Sequence, residues 1–237
     1  MNTWGITDIG LVRRENEDSY RIERLKDDVV LAVVCDGMGG ARAGNVASRM
    51  AADAFAAQVR RSLPCDDWGK ILEQAVMTAN EQVFSTSLAN PEYRGMGTTL
   101  VAALATPEKI WIVNVGDSRC YQIVEGDITR VTRDHSFVED LVMRGEITPE
   151  QARVHPKKNL ITRALGVDIS VKVDVYERDN CGGYLVLCSD GLSNLVTDEE
   201  LRGEVVAAEK ERCCSRLLKR ALDRGAPDNV TVVIVQL

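Results

Sequence analysis

Histidine is scarce in this chain of 237 residues, where only His135 and His155 occur. There is no His-x-x-x-His pair. No histidine stands beside Thr98, Thr99 or Ser118 to activate a hydroxyl, so these read as sheet and turn hydrogen-bonders rather than nucleophiles. The seven cysteines (Cys35, Cys65, Cys120, Cys181, Cys188, Cys213, Cys214) are odd in number and form no C-x-x-C. That argues against a disulfide framework and against a zinc site, and it fits a reducing compartment. Cys35, Cys120 and Cys188 lie in apolar runs, where free cysteine behaves as a small hydrophobe. No apolar stretch approaches the ~18 residues needed to span a membrane. The opening MNTWGITDIG has no charged segment followed by an apolar one, so no signal peptide is read and cytoplasmic residence is the expectation. Basic charge is also lacking: formal net charge is −7, pI is about 5.0 and aromatics make up 5%. Nucleic acid, which needs a basic footprint, is not an expected partner.

Apolar content is 45%, enough to bury a sizeable core. With no linker, repeat or low-complexity tract, residues 1–237 read as a single domain. Residues 29–40, VVLAVVCDGMGG, stand out. A short, β-branched apolar run closed by glycines reads as a fully buried strand. It ends on the carboxylate of Asp36. An ionised carboxylate at the edge of a core must be paired or coordinate a metal, and Gly37 lets the backbone carbonyl approach a ligand closely. Asp-Gly is equally a common turn dipeptide, and both readings stand at this point.

Strands are expected at 2–10, 18–25, 29–36, 97–105, 109–115, 119–124, 128–131, 170–176, 184–188 and 229–236. Apolar residues at helical spacing predict helices over 44–62, 68–88, 198–207 and 211–223. Residues 132–166 are polar, with two short helical stretches (136–143 and 149–153) and a break at Pro156, and read as a flap insertion. Strands that follow one another directly favour antiparallel sheets. The expected fold is therefore α+β, a central antiparallel β-sandwich flanked by helices on both outer faces.

Acidic residues recur where strands begin or end. Asp36 closes VVCDG, Asp117 follows WIVNVG, Asp190 ends YLVLCS and Asp228 precedes VTVVIV, while Glu17 and Asp18 lie in RRENED. If these strand ends converge, the carboxylates repel unless cations neutralise them. Oxygen donors select Mg²⁺, Mn²⁺ or Ca²⁺ over zinc. An EF-hand gathers its ligands within about twelve residues, whereas these span the chain, which suits a two-metal hydrolytic site. Arg13, four residues before Glu17, is either a bidentate phosphate partner or half of a surface salt bridge.

Arg13-x-x-x-Glu17-Asp18, Asp36-Gly37-Met38-Gly39-Gly40, Gly95-x-Gly97-Thr98-Thr99, Gly116-Asp117-Ser118-Arg119, Ser189-Asp190-Gly191-Leu192 and Asp228-Asn229 together resemble the metal-dependent PPM (type 2C) protein serine/threonine phosphatases. They occur in the family's order across essentially the whole chain, and the flap stretch is similar to that of the bacterial branch. The resemblance implies hydrolysis of phosphoserine and phosphothreonine in proteins, opposing a bacterial serine/threonine kinase. It implies two Mn²⁺ or Mg²⁺ ions and a metal-bridging hydroxide attacking in line, without a phosphoenzyme. Asp36 would bridge the ions. Gly37, through its carbonyl, and Glu17, through water, would serve one; Asp190 and Asp228 would hold the other. Asp18 would orient metal-bound water. Asp117, with Asp190, would bind a third ion, and Arg13 would grip the phosphate. A β-sandwich with helices outside is the family's fold, and a monomer is the default.

One departure bears on mechanism. Some eukaryotic members carry histidine directly after the Asp-Gly, proposed as general acid. Here Met38 cannot donate a proton, so the leaving group must be protonated by metal-bound water or another group. His135 and His155 are expected to hydrogen-bond locally and hold the flap. Arg42, Lys157, Lys158 and Arg163 read mainly as solvated charge. Two other functions compete. A nuclease is disfavoured by the acidity. A non-catalytic phosphoprotein-binding module of the same fold would not need six mutually repulsive acids.

Overall fold

The apolar run at 29–38 faces two ways, and this organises the molecule. The computed structural model describes residues 1–26, 28–39, 43–64, 67–207 and 209–237. Gly40, Arg42 and Cys65, named above, lie outside them. In chain order the elements are β1 (Asn2–Asp8), β2 (Asp18–Lys26), β3 (Val29–Met38), α1 (Gly44–Arg61), α2 (Trp68–Ala89), β4 (Gly97–Thr98), β5 (Leu100–Ala105), β6 (Lys109–Val115), β7 (Arg119–Val124), β8 (Asp127–Arg130), α3 (Phe137–Met143), α4 (Pro149–Val154), β9 (Asp174–Asp179), β10 (Tyr184–Cys188), α5 (Asp190–Ser193), α6 (Asp198–Val206), α7 (Cys213–Asp223) and β11 (Val230–Gln236). One sheet has the order β1-β11-β10-β7-β8. The other runs β2-β3-β5-β6-β9, with β4 paired to β3. Every pairing is antiparallel.

Successive side chains of a strand point to opposite faces. Leu31, Val33 and Cys35 of β3 therefore pack against α1 and α2, with Phe55, Val59, Leu72 and Val76. Val30, Ala32 and Val34 face the other sheet and meet Leu185, Leu187, Val233 and Val235. The first sheet's outer face, including Val186, Val232 and Ile234, is covered by Leu201, Leu217 and Ala221 of α6 and α7. The result is an α+β fold of four layers, helix, sheet, sheet, helix. A strand buried on both faces shows no polar alternation, which is why this stretch reads as one apolar run.

Three elements depart from expectation. The strand expected at 170–176 begins later, as Asp174–Asp179. Its partner β6 pairs Lys109 with Asp179 and Asn114 with Asp174, so residues before 174 have no ladder to join. Val171 and Val173 are apolar because they pack on the helix-side core. The expected strand 97–105 breaks at Thr99, which hydrogen-bonds back to Asp36. The turn of helix at Asp190–Ser193 is too short to show a helical period.

Residues 132–166 fold back along one end of the sandwich. Ser136 caps α3, and Thr148 with Gln151 forms a capping box on α4. The Phe137 N–H donates to the Leu160 carbonyl at 2.8 Å and the Thr162 N–H to the His135 carbonyl at 2.8 Å. Thr98 and Leu165 exchange backbone hydrogen bonds, which fasten the segment's far end to β4.

Candidate active site

Antiparallel pairing fixes where the acidic strand ends meet. The end of β3, the β6–β7 turn, the end of β10, the start of β11 and the β1–β2 loop share one edge of the sandwich. Asp18 and Asp36 are direct partners in the β2–β3 register. Arg13, Glu17, Asp36, Gly37, Asp117, Asp190 and Asp228 line one cavity of about 210 Å³, together with Met38, Asn159 and Ile161. Asp18 is buried and does not line this cavity; it lines another one, with Asn16, Asn45 and Arg49.

The backbone of Asp36 is held on both sides. Its N–H donates to Thr99 Oγ1 at 2.9 Å, and its carbonyl accepts from Thr98 Oγ1 at 3.0 Å and the Thr99 N–H at 2.9 Å. Thr99 Oγ1 in turn lies 2.7 Å from Ser118 Oγ. Gly37 and Gly44 permit an approach no other residue would. A Cβ on Gly37 would lie 2.1 Å from the Gly44 carbonyl oxygen, and one on Gly44 would lie 2.3 Å from Glu17 Oε1. The Glu17 carboxylate accepts from the Gly44 N–H across this gap.

Two residues given no role from sequence are structural here. Asn229 Oδ1 accepts from the Glu17 N–H at 2.8 Å, while Nδ2 donates to the Ile9 and Glu15 carbonyls at 2.9 and 3.0 Å. It staples the loop carrying Arg13 and Glu17 to the start of β11. Ser189 Oγ donates to Asp18 Oδ2 at 2.7 Å and accepts from the Thr231 N–H at 3.0 Å. The Asp-Asn and Ser-Asp dipeptides were the only signals available for either.

The electrostatics are those of a site short of positive charge. Burial, then Asp18, Asp190, Asp117 and Asp228, hold Asp36 well above the usual carboxylate range. Burial and then Asp228 raise Asp190, against a hydrogen bond with Asp36 that lowers it. Burial and Asp190 raise Asp117. Burial pushes Asp18 up to about 7, against hydrogen bonds from Thr231 and Ser189. Glu17 is raised by burial despite Arg13. Burial works against the Arg13 charge, but Asp228, Glu17 and Asp36 outweigh it. Arg13 Nη2 lies 2.8 Å from Asp228 Oδ2, and Nη1 lies 3.6 Å from Glu17 Oε2. The ion pair and the lining of the cavity both involve this one arginine.

The donor set fits hard divalent cations. All candidate ligands are oxygens, and Asp18 Oδ1 is a buried oxygen with no hydrogen-bond partner, which an isolated carboxylate oxygen in a core does not tolerate cheaply. Among the described residues no three histidine, cysteine, aspartate or glutamate side chains are drawn into a ready ligand cluster. The acids line a cavity instead.

Neither histidine lines this cavity. His155 Nδ1 accepts from the Lys157 N–H at 3.1 Å, and its ring packs 6.0 Å from Phe137. Lys157 Nζ sits 5.2 Å over the Phe137 ring, and Arg163 pairs with Asp174 at 2.8 Å. Lys158 lines a neighbouring cavity with Asp117 and Asp190.

A four-layer sandwich with acids gathered at one edge defines a class, and the family model for protein phosphatase 2C matches residues 13–225. The chain belongs to the protein phosphatase 2C family. It is 37% identical to the serine/threonine phosphatase stp of Listeria monocytogenes over 97% of this chain and 93% of that one. The crystal structure of the serine/threonine phosphatase Stp1 from Staphylococcus aureus superposes with a TM-score of 0.94 at 37% identity, covering 99% of this chain and 94% of that one. The catalytic domain of the serine threonine protein phosphatase PstP, in complex with 2 manganese ions, gives a TM-score of 0.88 at 37% identity, covering 99% of this chain and 97% of that one.

Proposed function

We propose that this chain hydrolyses phosphoserine and phosphothreonine in proteins, opposing a bacterial serine/threonine kinase. The observation that carries the reading is the single cavity lined by Arg13, Glu17, Asp36, Asp117, Asp190 and Asp228. Family membership and the names of its relatives support the same substrate class. We assign two Mn²⁺ or Mg²⁺ ions to this cavity: Asp36, the Gly37 carbonyl and, through water, Glu17 would serve one, and Asp36, Asp190 and Asp228 would hold the other. Asp117 and Asp190 would hold a third. When bound, such ions supply an activated water and neutralise charge in an in-line displacement without a phosphoenzyme.

The chain's own residues do the rest. Arg13 binds the phosphoryl oxygens bidentately, exchanging its pairing with Asp228 for the substrate. Asp18, buried and held by Ser189, would orient the attacking water. Thr98, Thr99 and Asn229 hold Asp36 and Glu17 in place. Met38 has no proton to give, so the general acid lies elsewhere.

Residues 1–237 act as one catalytic domain with residues 132–166 as its flap, and the protein works as a cytoplasmic monomer. No helix among the described residues is long and apolar enough to cross a membrane. The test is turnover of a phosphothreonine peptide and of an oligonucleotide, each with and without Mn²⁺. Metal-dependent release of phosphate from the peptide alone is expected. Binding without turnover would favour a phosphoprotein-binding module, and cleavage of the oligonucleotide would favour a nuclease.

A further inference from the structure

A second cavity, of about 300 Å³, adjoins the carboxylate cavity. Met38 and Ile161 line both, so their side chains form a shared wall. Beyond that wall the lining is mixed, with Ala164, Val167 and Val171 beside the polar Thr162 and Ser170. Gly97 opens space for two of the lining residues. A Cβ there would lie 3.0 Å from Met38 Cε and 3.1 Å from Val167 Cγ2, so the missing side chain leaves room for both beside β4. Val167 is 48% exposed, and the nearby Leu160 and Ile169 are 52% and 80% exposed. Single exposed apolar residues need no explanation, but a cluster bordering a binding cleft marks an interaction surface.

Charge narrows the occupant. Arg163 lines this cavity but is committed to Asp174 at 2.8 Å, so it does not present a cation to an acidic residue. Asp168 and Lys172 also line it and carry opposite charges. On the phosphatase reading the phosphorylated side chain would enter the carboxylate cavity, and the polypeptide bearing it would pass one of its walls. An extended chain advances about 3.3 Å per residue, so a neighbouring residue reaches across a wall one side chain thick.

We propose that this cavity binds an apolar side chain, of leucine or methionine type, close in sequence to the phosphorylated residue. The substrate class is then phosphoprotein segments with an apolar neighbour, and Met38 and Val167 are specificity determinants. The inference rests on the phosphatase reading above.

The test uses the full chain with Mn²⁺ and matched phosphothreonine peptides. One leucine is moved position by position along each side, against serine at the same place. At one position kcat/KM should be about tenfold higher with leucine, the scale on which an apolar contact discriminates between side chains. Val167→Asp and Val167→Ser should abolish the preference, and Val167→Leu should keep it. Hydrolysis of every peptide at the same rate overturns the subsite and leaves the phosphatase reading standing. A preference that survives in both polar variants also overturns it. Failure to hydrolyse any phosphopeptide overturns the phosphatase reading, and the subsite with it.

Discussion

His135 accepts a hydrogen bond at Nδ1 from the backbone N–H of Gly116 at 3.1 Å, and its own N–H donates to the Gly116 carbonyl at 2.9 Å. The segment 132–166 is thereby tied to the turn that presents Asp117. With Nδ1 an acceptor, the neutral ring carries its proton on Nε2 and donates it to Asp174 Oδ2 at 3.1 Å. Burial holds the imidazole below its usual pKa.

His135→Ala strands a buried N–H and opens a cavity. We expect a loss of about 2–3 kcal/mol in denaturant unfolding. The wild type should also show a pH signature that the variant lacks. The unfolded histidine takes up a proton below about pH 6.5, which the folded one resists. Its contribution is therefore fully present above that pH and is lost as pH falls through the lowered folded value. Equal stability of the two proteins across this range would refute the role.

Asp190→Asn keeps shape and removes charge where burial and Asp228 already disfavour it. The fold should survive, since neutralising one of several repelling acids relieves repulsion. Metal-dependent turnover should fall by more than about a hundredfold, as expected when about 3 kcal/mol or more of charge stabilisation is lost. Wild-type turnover at saturating Mn²⁺ would defeat the assignment.

Arg13→Ala tests a residue that sequence left between two readings. Its side chain is 46% exposed, so loss of the pair with Asp228 should change stability by less than about 1 kcal/mol. KM for a phosphopeptide should rise about tenfold or more, the scale of a lost charge-assisted hydrogen bond. An unchanged KM would leave only the ion pair.

Much of this was legible in sequence because it depends on short-range pattern. The apolar run of β3 marks a strand buried on both faces, and the carboxylates at strand ends announce themselves by being out of place. What was not legible depends on partners far apart in the chain. Asn229 matters because it bridges to Glu17, more than two hundred residues away, and nothing in an Asp-Asn dipeptide says so. Val171 and Val173 look like a strand start, but strand pairing is decided by where β6 ends. The wall between the two cavities needs Met38 and Ile161, more than a hundred residues apart, to stand together, which only the folded chain brings about.

The raised carboxylates predict an inverted pH response of the metal-free protein. Burial pushes Asp18 up to about 7, and Asp36, Asp117 and Asp190 are raised as well. An unfolded aspartate ionises near 3.8. Between that value and about 7 the folded Asp18 holds a proton that the unfolded chain has released, so raising the pH favours unfolding. The stability from this group is full below the unfolded pKa and is lost as pH rises through about 7. His135 acts in the opposite direction only below about pH 6.5, so the deciding window is from about pH 6.5 to 8. In a chelator, Tm should fall across that window, and Asp18→Asn should flatten the fall. With saturating Mn²⁺ the trend should reverse, because binding displaces protons and so strengthens as pH rises. Thermal melts in both conditions measure this directly, and a metal-free Tm that climbs from pH 6.5 to 8 would overturn the electrostatic picture of the site.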